Sequence, residues 1–345
     1  MPCLPSFPYK GGWLGGDGGT SVVLPDGRIF WLFADSFVGH ASQSRRTYAK
    51  GMVRNCIALS SCDAQNGWSI QYFWRNKQKG KRRTFFDPGK GEFWYWPMDA
   101  FVYKDSVYVA LLKSKPKPEE KIFSFENTGV DLARLSNLSK PPEDWEVKYW
   151  ELADGKKAYP GVTIVLQGDY AYLFAMFEGI APDRRSMILT RLPLDGLSNP
   201  STRLEYLGKD KSWKLGLKPE DALQVIEKGQ SDMSVRYHPR VQRWVAVSLE
   251  PRFLSNKIVV AMAPELAGPW SAWQTVYEIP EMIPTASGWD KDTWCYNVKE
   301  HIEFASREDL VVTYVCNSFD FGKMVRNMNI YRPQTVTLRL PQQIR

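Results

Sequence analysis

One unit recurs five times along this 345-residue chain: a polar approach, a short alternating strand, a tight turn, then a second and more apolar strand. The copies are GDGGTSVVLPDGRIFWLFADS (Gly16 to Ser36), YWPMDAFVYKDSVYVALLKS (Tyr95 to Ser114), AYPGVTIVLQGDYAYLFAMFEG (Ala158 to Gly179), QSDMSVRYHPRVQRWVAVSLE (Gln230 to Glu250) and CYNVKEHIEFASREDLVVTYVCNS (Cys295 to Ser318). Their starts lie roughly 55 to 80 residues apart, the length of one β-propeller blade with its loops. Asp26-Gly27, Asp105-Ser106, Gly168-Asp169, Arg240-Val241 and Arg307-Glu308 each fall between two strand-like runs. The reading is an all-β, five-bladed β-propeller with about four antiparallel strands per blade around a central channel, occupying 1–345 as a single domain. A jelly roll or paired sandwich would leave five similar copies unexplained.

Sequence between the copies supplies outer strands, namely CIALSSCD, GWSIQYFWR, VKYWEL, SMILTRLPL, RLEYL and KIVVAMA. The closing TVTLRL is expected to complete the first blade and lock the ring. One short helix is predicted, over Pro219 to Ile226, with proline suited to its first turn. An aromatic content of 14% beside 25 Gly and 23 Pro agrees with short strands and tight turns.

Composition narrows the partners. No stretch reaches the roughly 18 apolar residues that a membrane span requires, and the chain's start has neither a basic region nor an apolar core. An extracellular or periplasmic location follows only if a signal has been removed. Cys3, Cys56, Cys62, Cys295 and Cys316 show no CxxC pair and are read as buried thiols, with Cys56–Cys62 or Cys295–Cys316 as possible disulfides. The +7 charge is locally visible between Arg75 and Arg83, which is read as a solvated loop at a blade edge. It lacks the aromatic interleaving of a nucleic-acid reader, so no nucleic-acid partner is expected; contact with an acidic polymer is its functional alternative.

In a propeller the inner strand of every blade lines the channel, so polar residues at strand starts converge from distant parts of the chain. These are Asp17, Asp99, Tyr159 to Gly161, Asp232, and Asn297 with Lys299. The first hairpin adds a second carboxylate. Folding it at Asp26-Gly27 brings Asp35, at the exit of its apolar strand, beside Asp17. Two neighbouring carboxylates are costly unless something uses them. Arg54-Asn55 precedes the next strand, where a cation would keep one carboxylate ionised. Trp13, Trp94 and Trp96 are the aromatics nearest the strand starts, where a packed indole offers a rigid face for stacking. No GxSxG, HExxH or phosphate-binding glycine loop is present, and His40, His238 and His301 are scattered. No cofactor and no catalytic metal are expected, a structural calcium among channel carboxylates being the one metal considered.

At this point the residues resemble a known family. GGDGGTSVVLPDGRIFWLFADSF, WPMDAF, SVRYHP, and the stretch Tyr296 to Glu303 followed by Leu310 to Ser318 and Tyr331-Arg332-Pro333 are similar to the five-bladed propeller glycoside hydrolases that include microbial endo-D-arabinanases, formerly a domain of unknown function. The resemblance implies a polysaccharide or oligosaccharide substrate, a furanose polymer such as D-arabinan first, with Asp17 and Asp35 as the catalytic pair. Glycoside cleavage needs one carboxyl to protonate the departing oxygen and another to meet the oxocarbenium-like centre. Asp17, in a glycine-flanked stretch open to a sugar ring, is assigned the nucleophile or base, and Asp35, after an apolar run, the general acid. Asp99, Asp232, Arg54, Asn55, Trp13, Trp96, Asn297, Lys299 and His301 are assigned to substrate binding or charge tuning, although relatives tend to show proline where Ile302 follows His301. Glu178 and Glu250 stand second in line as acids. The alternative functional class is a non-catalytic glycan-binding propeller, which has no need of a close aspartate pair. A basic scaffold for nucleic acid or protein is the third.

Overall fold

The computed structural model describes residues 3–39, 46, 49–63, 65, 67–78, 81–89, 91–119, 124–155, 157–179, 185–252, 254–305 and 309–341. They form five antiparallel sheets around a common axis, the expected five-bladed propeller, with a separate two-stranded ribbon. Among the described residues only Pro200–Arg203 and Phe321–Arg326 are α-helical. No helix among them is long and apolar enough to cross a membrane.

Each blade meanders outward from the axis. The inner strands are Trp13–Val23, Trp94–Tyr103, Ala158–Gln167, Met233–His238 and Thr293–Glu300. Their partners are Ile29–Gly39, Ser106–Pro116, Tyr170–Glu178, Arg243–Leu249 and Asp309–Ser318. These are the five repeated pairs. A second strand is covered on both faces by neighbouring blades, so Ile29 to Phe33 and Val107 to Leu111 are buried without alternation and read as continuous apolar runs. The outer strands Cys56–Asp63, Gly67–Phe73, Glu146–Ala153, Arg185–Pro193, Glu205–Leu207 and Lys257–Ala263 lie where expected. The Arg307-Glu308 turn lies outside the described residues.

Four expectations are corrected. The closing strand, Pro333–Arg339, pairs with Asp309–Ser318 in the fifth blade rather than joining the first; Leu338 is buried there in the apolar cluster shared with the fourth blade. The predicted helix is a single 3-10 turn, Pro219–Asp221, followed by strand Gln224–Ile226, where β-branched Val225 and Ile226 pack on the third blade. Four of the five cysteines are not free thiols: Cys3 joins Cys62, and Cys295 joins Cys316 directly across the fifth blade, leaving Cys56 as the buried thiol. Segment Arg75–Gln78 pairs with Lys81–Arg83 as a short ribbon instead of an open loop.

Without strand exchange, side-chain hydrogen bonds close the ring. The Thr20 hydroxyl of blade one donates to Met98 O of blade two. Asp99 of blade two accepts Ile164 N–H of blade three, 2.7 Å away. Thr163 of blade three accepts Val235 N–H of blade four, and Ser234 of blade four accepts Glu300 N–H of blade five. Ser21 of blade one meets His301 and Glu303 of blade five. Arg236 of blade four reaches across to Asp99, at 3.4 Å, and to Thr163. Lys299 of blade five donates to Val162 O and Met233 O. Inner strands of separate sheets share no backbone ladder, so buried polar groups take its place.

Removing one partner of a buried ion pair leaves the other desolvated and unpaired. Asp99→Ala is therefore expected to lower the unfolding free energy by about 3–5 kcal/mol, read from the shift in denaturant midpoint. An unchanged midpoint would mean that the channel network does not hold the blades.

Candidate active site

The inner strand's ladder to its partner is broken in four blades: between Gly16 and Thr20, Pro97 and Ala100, Pro160 and Thr163, and Tyr296 and Lys299. Such bulges redirect side chains and end regular pairing. In the first blade Gly16 pairs with Ser36 and Gly18 with Phe33, so Asp17 stands opposite Ala34 and Asp35. The hairpin does bring the two carboxylates into one place, half-buried at the mouth of the channel. Inner strands start, and second strands end, at this same rim.

The glycines around Asp17 serve the backbone. Gly15 has φ +118°, and a Cβ there would meet Tyr331 O at 2.4 Å. Gly18, at φ +90°, faces the main chain of Leu32 to Ala34, so both positions exclude side chains to let strands approach, not to admit a ring. In the fifth blade Asn297 takes the left-handed conformation, φ 52°, that asparagine tolerates. Its carboxamide oxygen accepts Gly18 N–H at 3.1 Å, and its nitrogen donates to Asp232 Oδ1 at 2.9 Å. Asn297 thus ties the bulge carrying Asp17 to the fourth blade.

The two aspartates have opposite neighbours. Asp17 Oδ2 accepts the Tyr296 hydroxyl at 2.6 Å, while Oδ1 is buried with no hydrogen-bond partner among the described residues. Burial first, then the charges of Asp35 and Asp232, push its pKa up to about 8. Asp35 is also raised by burial, but Arg54 and Trp96 pull the other way. The Arg54 guanidinium donates to Oδ2 at 3.0 Å and the Trp96 indole N–H to Oδ1 at 3.1 Å. Of the coupled pair, Asp35 therefore releases its proton first, and its charge holds the proton on Asp17. Asp232 is a third carboxyl at the rim, raised by burial and opposed by Lys299.

The remaining predicted residues divide. Arg54, Trp96, Asn297 and Asp232 join the aspartate pair, and Trp94 backs it, with the Arg54 guanidinium 4.3 Å from its ring centroid. Asp99, Lys299 and His301 instead belong to the ring of interblade bonds. His301 is enclosed between Ser21 and Thr313, and burial lowers its pKa to about 3, so it stays neutral. Asn55 holds the main chain of Phe86 and Tyr95 from a fully buried position. Trp13 is buried against Tyr72, their rings stacked 4.3 Å apart. Glu178 pairs with Arg185, and Glu250 accepts the Ser255 hydroxyl. His40 lies outside the described residues. Among the described residues, no three His, Cys, Asp or Glu side chains gather to hold a metal ion; channel carboxylates meet Arg236, His238 and Ser21 instead.

Sequence reading missed two tyrosines. Tyr296 holds Asp17, and Tyr331 donates from its hydroxyl to the Asp35 carbonyl at 3.2 Å. Each lies in a stretch already singled out, one residue from Asn297 and two from Pro333. What sequence lacked was the bulge that turns Tyr296 towards the first blade. Arg46 is a third omission: buried, it donates to the carbonyls of Leu14, Met324, Asn327 and Ile330, fixing the loop before Tyr331 to the first inner strand.

Solved structures share this fold. The chain is similar to a Bacteroides ovatus ATCC 8483 protein provisionally described as a hydrolase, with TM-score 0.73 and 19% identity over 95% of this chain and 86% of that one. It is similar also to levansucrase from Bacillus subtilis (TM-score 0.51, 12% identity, 98% of this chain and 89% of that one). A third is the GH43_1 enzyme from Xanthomonas citri complexed with xylotriose (TM-score 0.50, 11% identity, 98% and 92%). Glycoside hydrolases are thus among the structural neighbours, and at these identities the likeness speaks for the fold. No curated protein matches the chain in sequence. A family model matches residues 7–339, and the chain belongs to that family, described as Domain of unknown function (DUF5005).

Proposed function

We propose that the protein is a glycoside hydrolase that cuts a polysaccharide at the channel mouth with Asp17 and Asp35. The observation that carries this is the opposite surroundings of two carboxyls on one hairpin. One accepts a tyrosine hydroxyl and lies near the charges of two further carboxyls; the other faces a guanidinium and an indole N–H. Separated pKa values on paired carboxyls are what acid-assisted glycoside cleavage requires. Glycoside hydrolases among the structural neighbours support a carbohydrate substrate. Resemblance of the first hairpin to endo-D-arabinanases makes a furanose polymer such as D-arabinan the first candidate.

The roles invert those expected from sequence. Asp17 is the general acid: it keeps its proton beside the Tyr296 hydroxyl and passes it to the glycosidic oxygen as the bond to the anomeric carbon breaks. Asp35, ionised beside Arg54, meets the oxocarbenium-like centre directly or through a water it deprotonates. Asn297 and Asp232 fix the acid's strand and add the negative charge that keeps Asp17 protonated.

Reducing-end release from a panel of furanose and pyranose polysaccharides, D-arabinan included, is the direct test. One polymer is expected to be cut, and Asp17→Asn and Asp35→Asn each to slow cutting by about a thousandfold or more. Undiminished cutting by both variants would remove the pair from catalysis, and binding without cutting would favour a lectin-like propeller.

The acid's assignment carries two pH predictions. The rate should fall as pH rises through about 8, where Asp17 loses its proton. Stability follows the same group. Between its ordinary value of 3.8 and about 8 the folded chain binds a proton that the unfolded chain has released, so folding weakens as pH rises across that window. Asparagine does not ionise, so Asp17→Asn should raise the melting temperature at neutral pH and change it little near the ordinary carboxylate value. A gain equal at both pH values would contradict the raised pKa.

A further inference from the structure

The fifth blade presents aromatic surface that the chemistry above does not use. From Tyr296, which holds Asp17, the rings run outward in a stack: Tyr296 to Trp294 at 4.4 Å and 21°, then Trp294 to Phe319 at 5.6 Å and 24°. Phe319 is 52% exposed although it is a large apolar side chain beside the rim. Its main chain is fixed, because its N–H donates to Asp292 O at 2.9 Å. Its neighbour Ser318 lines a recess of about 310 Å³ with Asp290, Thr293 and Lys323. The Lys323 ammonium bridges Asp290 and Asp292 at 2.7 Å, a set of charged donors and acceptors at the ring's base.

An exposed aromatic ring whose inner face is packed is a rigid platform, because little side-chain entropy is lost when something settles on its open face. We infer that the open face of Phe319 is a distal sugar subsite, taking a unit of the same glycan chain that Asp17 and Asp35 cut, and so selecting chains over short fragments. The inference rests on the proposed function. Two features commit the occupant to a carbohydrate: the stack is continuous with the acid through Tyr296, and the polar recess is lined by Ser318, the residue before Phe319, and by charged groups suited to hydroxyls. A protein partner would need a broad apolar patch, whereas here the exposed rings of Phe319 and Phe321 lie in one segment with Lys323, which is ion-paired to Asp290 and Asp292.

The test compares Phe319→Ala with the unaltered protein on the polymer found to be cut and on the shortest oligosaccharide of it that is still cut. Phe319→Ala should raise KM for the polymer by about three- to tenfold, leave kcat unchanged, and leave both constants unchanged for the short substrate. Phe319→Trp should restore the polymer's KM. Equal KM values on the polymer, or an equal rise on both substrates, overturns the platform. Glycan binding by the Asp35→Asn protein, followed by tryptophan fluorescence, separates the two levels. If neither protein binds or cuts any glycan of the panel, the reading of the site fails and the platform with it; if glycans are bound and cut regardless of Phe319, the platform alone falls.

Discussion

Five sheets that meet at an axis cannot share a backbone ladder there, and this constraint shapes the rest of the molecule. The inner strands are joined by side chains instead, through Thr20, Asp99, Thr163, Ser234 and Ser21 in turn around the ring. In four of five blades the inner strands also break register with their partners. The broken registers bring Asp17 and Asn297 to the rim, and Asp99 and Val162 into the channel. Asp99 and Asp17 thus come from one device and differ in what meets them. Asp99 finds Arg236 across the channel and becomes a brace. Asp17 finds a tyrosine and the charges of Asp35 and Asp232, and holds its proton well above the usual carboxylate range.

The asymmetry of the pair follows from the blades on either side. Blade five supplies Asp17 with a neutral donor, Tyr296, which orients one oxygen without cancelling charge. Blade two, with Arg54 from the first blade's third strand approach, supplies Asp35 with a cation and an indole N–H. A carboxylate with two donors, one charged, ionises more readily than one with a single neutral donor. Aromatic side chains recur on both flanks, Trp94 and Trp96 beside Asp35 and Trp294 and Phe319 beyond Asp17.

Much of the fold was legible because a blade's second strand is buried on both faces and its turn must be tight, which writes an apolar run and a bend five times. Closure was not legible: TVTLRL has the same pattern whichever sheet it joins, and the choice depends on packing of Leu338 against the fourth and fifth blades. Of the disulfides, Cys295–Cys316 was among the pairings considered, whereas Cys3–Cys62 was missed for a related reason, since those two residues meet only after the first blade has formed. For the site, hairpin register alone places Asp17 opposite Asp35. Their roles needed long-range neighbours, because Tyr296 is 279 residues from Asp17 and Trp96 is 61 from Asp35. Apolar sequence before Asp35 suggested the drier carboxyl; Arg54 reverses that reading. Asn55 sits beside Arg54 in sequence, yet points into the core to hold Phe86 and Tyr95.

The central claim is that Asp17 stays protonated near neutral pH while Asp35 does not. Infrared difference spectra of the carboxyl groups across a pH titration, with the unaltered protein and Asp17→Asn, address it without any substrate. The account predicts a protonated-carboxyl band that disappears near pH 8 in the unaltered protein and is missing from Asp17→Asn. A spectrum with every carboxyl ionised above about pH 6, or a component titrating near pH 8 that survives in Asp17→Asn, would contradict it.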